Sequence, residues 1–222
     1  MKKPIIIAIT LVLVALLVFS ACSNNSTRAK FIEMSGCWPR HKDADALIER
    51  ADLVFVGRIT DISFAVVDPR NGQYVDETTE ERYRYLYTFY EFEVFTLLKG
   101  DTLGFSAFTL DGGVKNFRIE EQLRVMNEGR AYDRKWGIYV WQGHPNPQIG
   151  ETYLFALAQT VENAPPVLLN LNQSIYPLNA PMERQGTASP YEIISHFGEE
   201  AWNSFYTEWQ RSDSIYRTQQ TS

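Results

Sequence analysis

The chain has 222 residues, an aromatic content of 14% with 12 Tyr and 13 Phe, and a formal net charge of −6. That composition is too apolar and aromatic for a disordered chain, and its acidity excludes nucleic acid as a partner and charge-driven adhesion to anionic lipid. Its length predicts one domain of about 190 residues behind a removable leader, enough to bury a core without disulfide staples.

Met1-Lys2-Lys3 is a short basic start, and Ile5 to Phe19 is an apolar run interrupted only by Thr10. Small residues then lead to Cys22. A basic start, a short apolar core and small residues before a cut site make a secretory signal over residues 1–21. The apolar run falls short of the roughly 20 residues that span a bilayer comfortably. Phe19-Ser20-Ala21-Cys22 resembles the lipobox of bacterial lipoproteins, with Phe in place of the usual Leu. The resemblance implies acylation of Cys22 and anchoring of the exported protein to the extracytoplasmic face of the membrane. Residues 22–35 follow as a polar tether. Cys37 is then left with no partner in its own chain. It is expected to be a buried, inert side chain, with pairing between chains or a reactive thiol as the alternatives.

Residues 36–180 carry the predicted β domain. Asp43 to Arg50 predicts a short helix, acidic at its start and basic at its end. Leu53 to Phe64 predicts a strand that is apolar on both faces in its first half and hence central, with Gly57 marking a bulge or corner. Asp68-Pro69-Arg70-Asn71-Gly72 is a turn, and Glu77 to Arg82 a charged link. Tyr83 to Lys99 contains no Pro or Gly and reads as one long strand. At about 3.3 Å per residue it is too long to lie flat in a small domain, so it must coil and serve two sides of a barrel or sandwich. The apolar face switches around Phe95 and Leu97, which predicts a bulge there.

Gly104 to Leu110 is the next strand. Residues 114–149 form an irregular insertion, with a short helix suggested by Ile119, Leu123 and Met126 and a brief strand over Trp136 to Trp141. Thr152 to Ala158, Val167 to Leu171 and Ser174 to Leu178 predict three more strands. Residues 181–222 are a helical extension and loose tail. Ser189-Pro190-Tyr191-Glu192 is a capping box with Pro at the first helical position. The helix is expected to reach about Arg211, broken or bent at Gly198. Its stripe of Ile193, Ile194, Phe197, Ala201, Trp202, Phe205 and Trp209 is expected to pack on the barrel, with a partner-binding face as the sharper alternative.

The fold class expected is therefore mainly β, an OB-like, partly open barrel with a short N-terminal helix and a C-terminal helix. The order short helix, Ala51-Asp52-Leu53-Val54-Phe55-Val56-Gly57, long strand, then Gly150-Glu151-Thr152-Tyr153-Leu154-Phe155 also resembles the netrin-module and tissue-inhibitor-of-metalloproteinase type of OB-fold. The likeness covers roughly residues 37–178. Inhibitors of that family hold a protease zinc through the free amine and carbonyl of a mature N-terminal Cys. Cys37 lies inside the chain and an acylated Cys22 has no free amine, so that mechanism is not implied here.

The three histidines His41, His144 and His196 show no metal-ligand spacing, and no nucleophile or phosphate-binding motif occurs. Neither a metal nor a cofactor is expected, and the chain does not read as an enzyme. Trp136, Tyr139, Trp141 and His144 gather in the insertion, where OB-folds carry binding loops. Packing of Trp136 and Trp141 onto the barrel is the simpler account; a face for a small ligand or protein partner is the sharper one. The expected function is a membrane-anchored, non-enzymatic binding or interaction module, with a secreted enzyme or a protease-inhibitor-like protein as the alternative.

Overall fold

A computed structural model describes residues 29–101, 104–143, 146–162, 164–178, 189–203, 206–207 and 210. Cys22, the leader, His144, Phe205 and Trp209 lie outside these residues. From Phe31 onward the described chain forms one compact unit that is mainly β, with a large sheet and a few helices.

Strand β1 (Phe31–Met34) pairs in parallel with β6 (Ile138–Trp141). Residues 31–34, expected at the end of the tether, are thus part of the folded unit. The other strands are β2 (Leu53–Asp68), β3 (Gln73–Tyr74), β4 (Tyr85–Lys99), β5 (Ala107–Asp111), β7 (Thr152–Ala158), β8 (Val167–Leu168) and β9 (Ile175–Pro177). Their order is β3-β2-β4-β5-β8-β7-β9, and β2 also pairs with β7. The pairings β2–β4–β5–β8–β7 therefore return to β2 and close a ring. All are antiparallel except β5–β8, which is parallel.

The two long strands make this ring possible. The first six residues of β2, Leu53 to Arg58, lie between β7 and the end of β4. The first half of β4, Tyr87 to Glu91, pairs with both β2 and β5. Register shifts leave Phe95 and Leu98 without opposite residues on β2, and leave Thr60 without one on β4. The predicted bulge is at Phe95. A β-bulge bends its strand and increases its twist, which is how a long strand turns a barrel corner. Gly57 stands opposite this irregularity, where a Cβ would collide with the carbonyl of Glu93 and the ring of Phe55.

Alternation along β2 sorts its side chains into two cores. Phe55 faces the ring interior, 4.6 Å from Phe92 and 4.8 Å from Phe155 between ring centres. Val54 and Val56 face outward onto helix α1 (Ala44–Arg50) and helix α3 (Pro190–His196). Asp43 caps α1 by accepting from Ala46 N–H. Ser189 and Glu192 form the expected capping box of α3. Ile193 and Ile194 are fully buried against Leu47, Ile48 and Tyr176, and the half-buried Phe197 and Trp202 pack on the same cluster, so the stripe packs on the barrel through these four residues. As expected, the helix is broken at Gly198: α3 stops at His196, Gly198 has a positive φ of 89°, and residues 199–203 are helical again.

Helix α2 (Ile119–Glu128) lies between β5 and β7 in the chain and packs on β2 through Met126 and the neighbouring Gly129. Two further differences concern local geometry. Tyr83, expected to open the long strand, belongs to a 3₁₀ turn over Glu81–Tyr83. Cys37 is exposed, not buried. Its neighbour Trp38 takes the inward position, edge-on to Trp141 at 5.3 Å, and alternation in an extended segment then turns Cys37 outward.

Candidate functional site

A cavity of about 370 Å³ lies where the insertion meets the barrel. Five pieces of chain build it. β4 contributes Tyr85 and Leu86; the end of β5 contributes Asp111 and Gly112; β1 contributes Met34; β6 contributes Tyr139. A 3₁₀ turn over Tyr132–Lys135 and its cap contribute Tyr132, Asp133 and Trp136.

The backbone fixes these pieces to one another. Gly112 N–H donates to Leu86 O at 2.7 Å, and Gly113 N–H to Tyr139 O at 2.7 Å. Gly112 has a φ of 88°, and a Cβ there would strike the Tyr139 carbonyl, so glycine is required at this close approach. Tyr132 N–H donates to Arg84 O at 2.6 Å, tying the 3₁₀ turn to β4. Gln122 of α2 is fully buried and clamps the segment after β5: its Oε1 accepts from Val114 N–H and its Nε2 donates to Val114 O and Phe117 O. The guanidinium of Arg84 donates to the carbonyls of Asp76, Thr79 and Gly129, so it holds the 76–79 turn and the end of α2 in one place.

Three rings form a row. Tyr85 and Tyr132 lie 6.0 Å apart, and Tyr132 meets Trp136 edge-on at 5.0 Å. Aromatic pairs of this geometry add to the burial they already contribute. Trp136 is 39% exposed and Tyr139 half-buried, so both reach the rim. Lys135 Nζ stands 4.7 Å from the Trp136 ring and 5.0 Å from the Tyr132 ring.

Two carboxylates share the cavity. Asp111 Oδ1 accepts from the indole N–H of Trp141 at 2.8 Å, yet burial raises its pKa above the ordinary value. Asp133 is only 3% exposed, and its Oδ1 has no hydrogen-bond partner among the described residues. Burial raises the Asp133 carboxyl to about 6, against smaller pulls from its own backbone and from Arg134. A buried carboxylate with an unused oxygen is costly, because it loses water without gaining a donor.

The structure brings together two of the four aromatic or imidazole residues named from sequence, Trp136 and Tyr139. Trp141 does not line the cavity. It lies on the same side of β6 as Tyr139 and fastens Asp111, while its ring packs on Trp38. His144 is outside the described residues. Sequence reasoning missed Tyr85, Asp111, Tyr132 and Asp133. The four-residue spacing of Tyr132 and Trp136 was the available signal, since it puts both rings on one side of a helical turn. Asp133 sits in a charged run that reads as solvated.

Among the described residues no group of three or more His, Cys, Asp or Glu is placed to hold a metal ion, and no helix is long and apolar enough to cross a membrane. Comparison of the chain with known protein families and with curated proteins finds no match.

Proposed function

We propose that this protein is an exported lipoprotein, anchored through Cys22, whose OB-type barrel presents the aromatic cavity as a binding site for a small ligand. The fold reading rests on strand order. If β2, β4, β5, β7 and β8 are counted one to five, the ring runs 1-2-3-5-4 and back to 1, with the helix α2 between the third and fourth strands. This closed five-strand order supports the OB reading, and loops of such barrels serve as binding surfaces. The anchor rests on the lipobox-like Phe19-Ser20-Ala21-Cys22; Cys22→Ala is expected to move the protein from the membrane fraction to the soluble extracytoplasmic fraction, and unchanged fractionation contradicts it.

One observation carries the binding reading. The cavity combines an aromatic lining with a buried carboxylate whose Oδ1 no described residue satisfies. Ligand sites are typically apolar concavities of about 300–1,000 Å³ with a few convergent polar groups. Ligand-observed NMR with a library of small polar and aromatic fragments tests it. Binding is expected that is lost in Trp136→Ala and retained in Leu97→Ala, a surface control; no fragment whose binding depends on Trp136 contradicts the reading.

A second reading, an acid–base enzyme, is favoured by the raised pKa of Asp133 beside Asp111. It places Asp133 as a proton donor near neutral pH. The first reading is preferred because Asp111 is engaged by Trp141 and no Ser, Thr, Cys, Lys or His is among the described residues that line the cavity.

A further inference from the structure

The lining of the cavity selects for charge. Tyr85, Tyr132, Trp136 and Tyr139 present π systems, which are electron-rich on their faces, and Asp111 and Asp133 present the only ionisable groups besides the tyrosines. No Lys, Arg or His is among the described residues that line it. Asp133 is 3% exposed and its Oδ1 finds no hydrogen-bond partner among the described residues, so the fold carries an uncompensated buried charge in the cavity wall. A neutral ligand leaves that charge uncompensated. A cation in the cavity compensates it, whether or not it carries an N–H. The rings already show the same preference, for Lys135 Nζ rests within 5.0 Å of both Tyr132 and Trp136.

We infer that the cavity binds a compact organic ammonium ion, held by the aromatic faces and by the negative charge of the buried Asp133 carboxylate in its wall. This rests on the reading of the cavity as a ligand site and specifies its ligand class. The recognition is that of an aromatic cage, in which a desolvated cation meets ring faces within about 6 Å. The neighbouring basic groups do not compete for the carboxylates. Arg134 is held by Glu81 and by the carbonyls of Arg130 and Ala131. Arg70 is bonded to Asp68 and stacked on Tyr83, and Arg82 is paired with Glu80. Quaternary headgroups and primary alkylamines share the required chemistry, and they differ in size and in the number of N–H donors.

The test is a calorimetric titration of the full-length protein in a non-ionic detergent with three probes. Choline and 3,3-dimethyl-1-butanol have the same shape and differ in charge; n-butylamine supplies the primary ammonium. At least one cation is expected to bind about ten-fold or more tightly than the neutral isostere. Choline binding alone identifies a quaternary headgroup, and butylamine binding alone a primary amine. Asp133→Asn keeps the shape of the side chain and is expected to abolish the preference while leaving weak binding of the alcohol. Lys135→Met is expected to preserve or strengthen it. Equal binding of alcohol and cations overturns the inference and leaves the ligand site standing. A preference that survives Asp133→Asn in a folded protein overturns the role of that carboxylate. No binding by any probe, with fragment binding still lost in Trp136→Ala, overturns the inference alone; loss of both overturns the site as well.

Discussion

Asp133 is the residue on which stability and function pull in opposite directions. Its carboxyl ionises at about 6 when folded, against an ordinary 3.8. Between those values the folded protein holds a proton that the unfolded chain has released. Stability therefore falls as pH rises through this window, and the deficit persists above it. Asp133→Asn removes the charge and with it the deficit. Thermal unfolding is expected to show the variant more stable than the parent at pH ~7.5 and close to it at pH ~4. A variant less stable at both pH values would mean that the carboxylate has a partner in the fold. This conflict explains why the residue was not legible from sequence. In Arg130-Ala131-Tyr132-Asp133-Arg134-Lys135, a charged run reads as a solvated face, and only the tertiary contact of Tyr132 with Arg84 turns the aspartate inward. Trp136 and Tyr139 were legible because large aromatics in an irregular insertion need a reason to be there. Exposure of Cys37 was not legible, since it depends on which of two neighbours, Cys37 or Trp38, meets Trp141.

At the scale of elements, local signals were read well and non-local pairings poorly. The charged ends of α1 and the capping box of α3 were legible because both are local signals, a cap being a contact between residues three apart. The bulge in β4 was legible because the apolar face of a strand changes sides when one extra residue is inserted. β1 was hidden, since its four residues pair with β6 more than a hundred positions later. The second core makes α3 part of the fold's stability. Ile193→Ala, at a fully buried site between α1 and β2, is expected to cost about 2–5 kcal/mol in urea unfolding. Ser189→Ala, which removes a cap hydrogen bond at an exposed helix start, is expected to cost about 1 kcal/mol. Equal, negligible costs would show that α3 does not hold the barrel.

At the scale of the whole unit, the barrel matters as a frame. β2 and β4 close the ring only because they are long enough to pair on both sides, and their irregularities let them bend. The insertion after β5 then returns as β6 and meets β1 over the ends of β4 and β5. The cavity forms at that return, from segments that lie far apart in sequence. Its composition was partly legible and its geometry was not, because no local pattern says that Tyr85, Asp111 and Asp133 will share one wall. The account stands on a carboxylate that is buried, unpaired and waiting for a cation. The most direct measurement is an NMR pH titration of the Asp133 carboxyl carbon, with and without saturating choline or butylamine. The account predicts a midpoint near 6 in the free protein, falling when the ammonium binds. A midpoint in the ordinary carboxylate range that neither cation moves would contradict it.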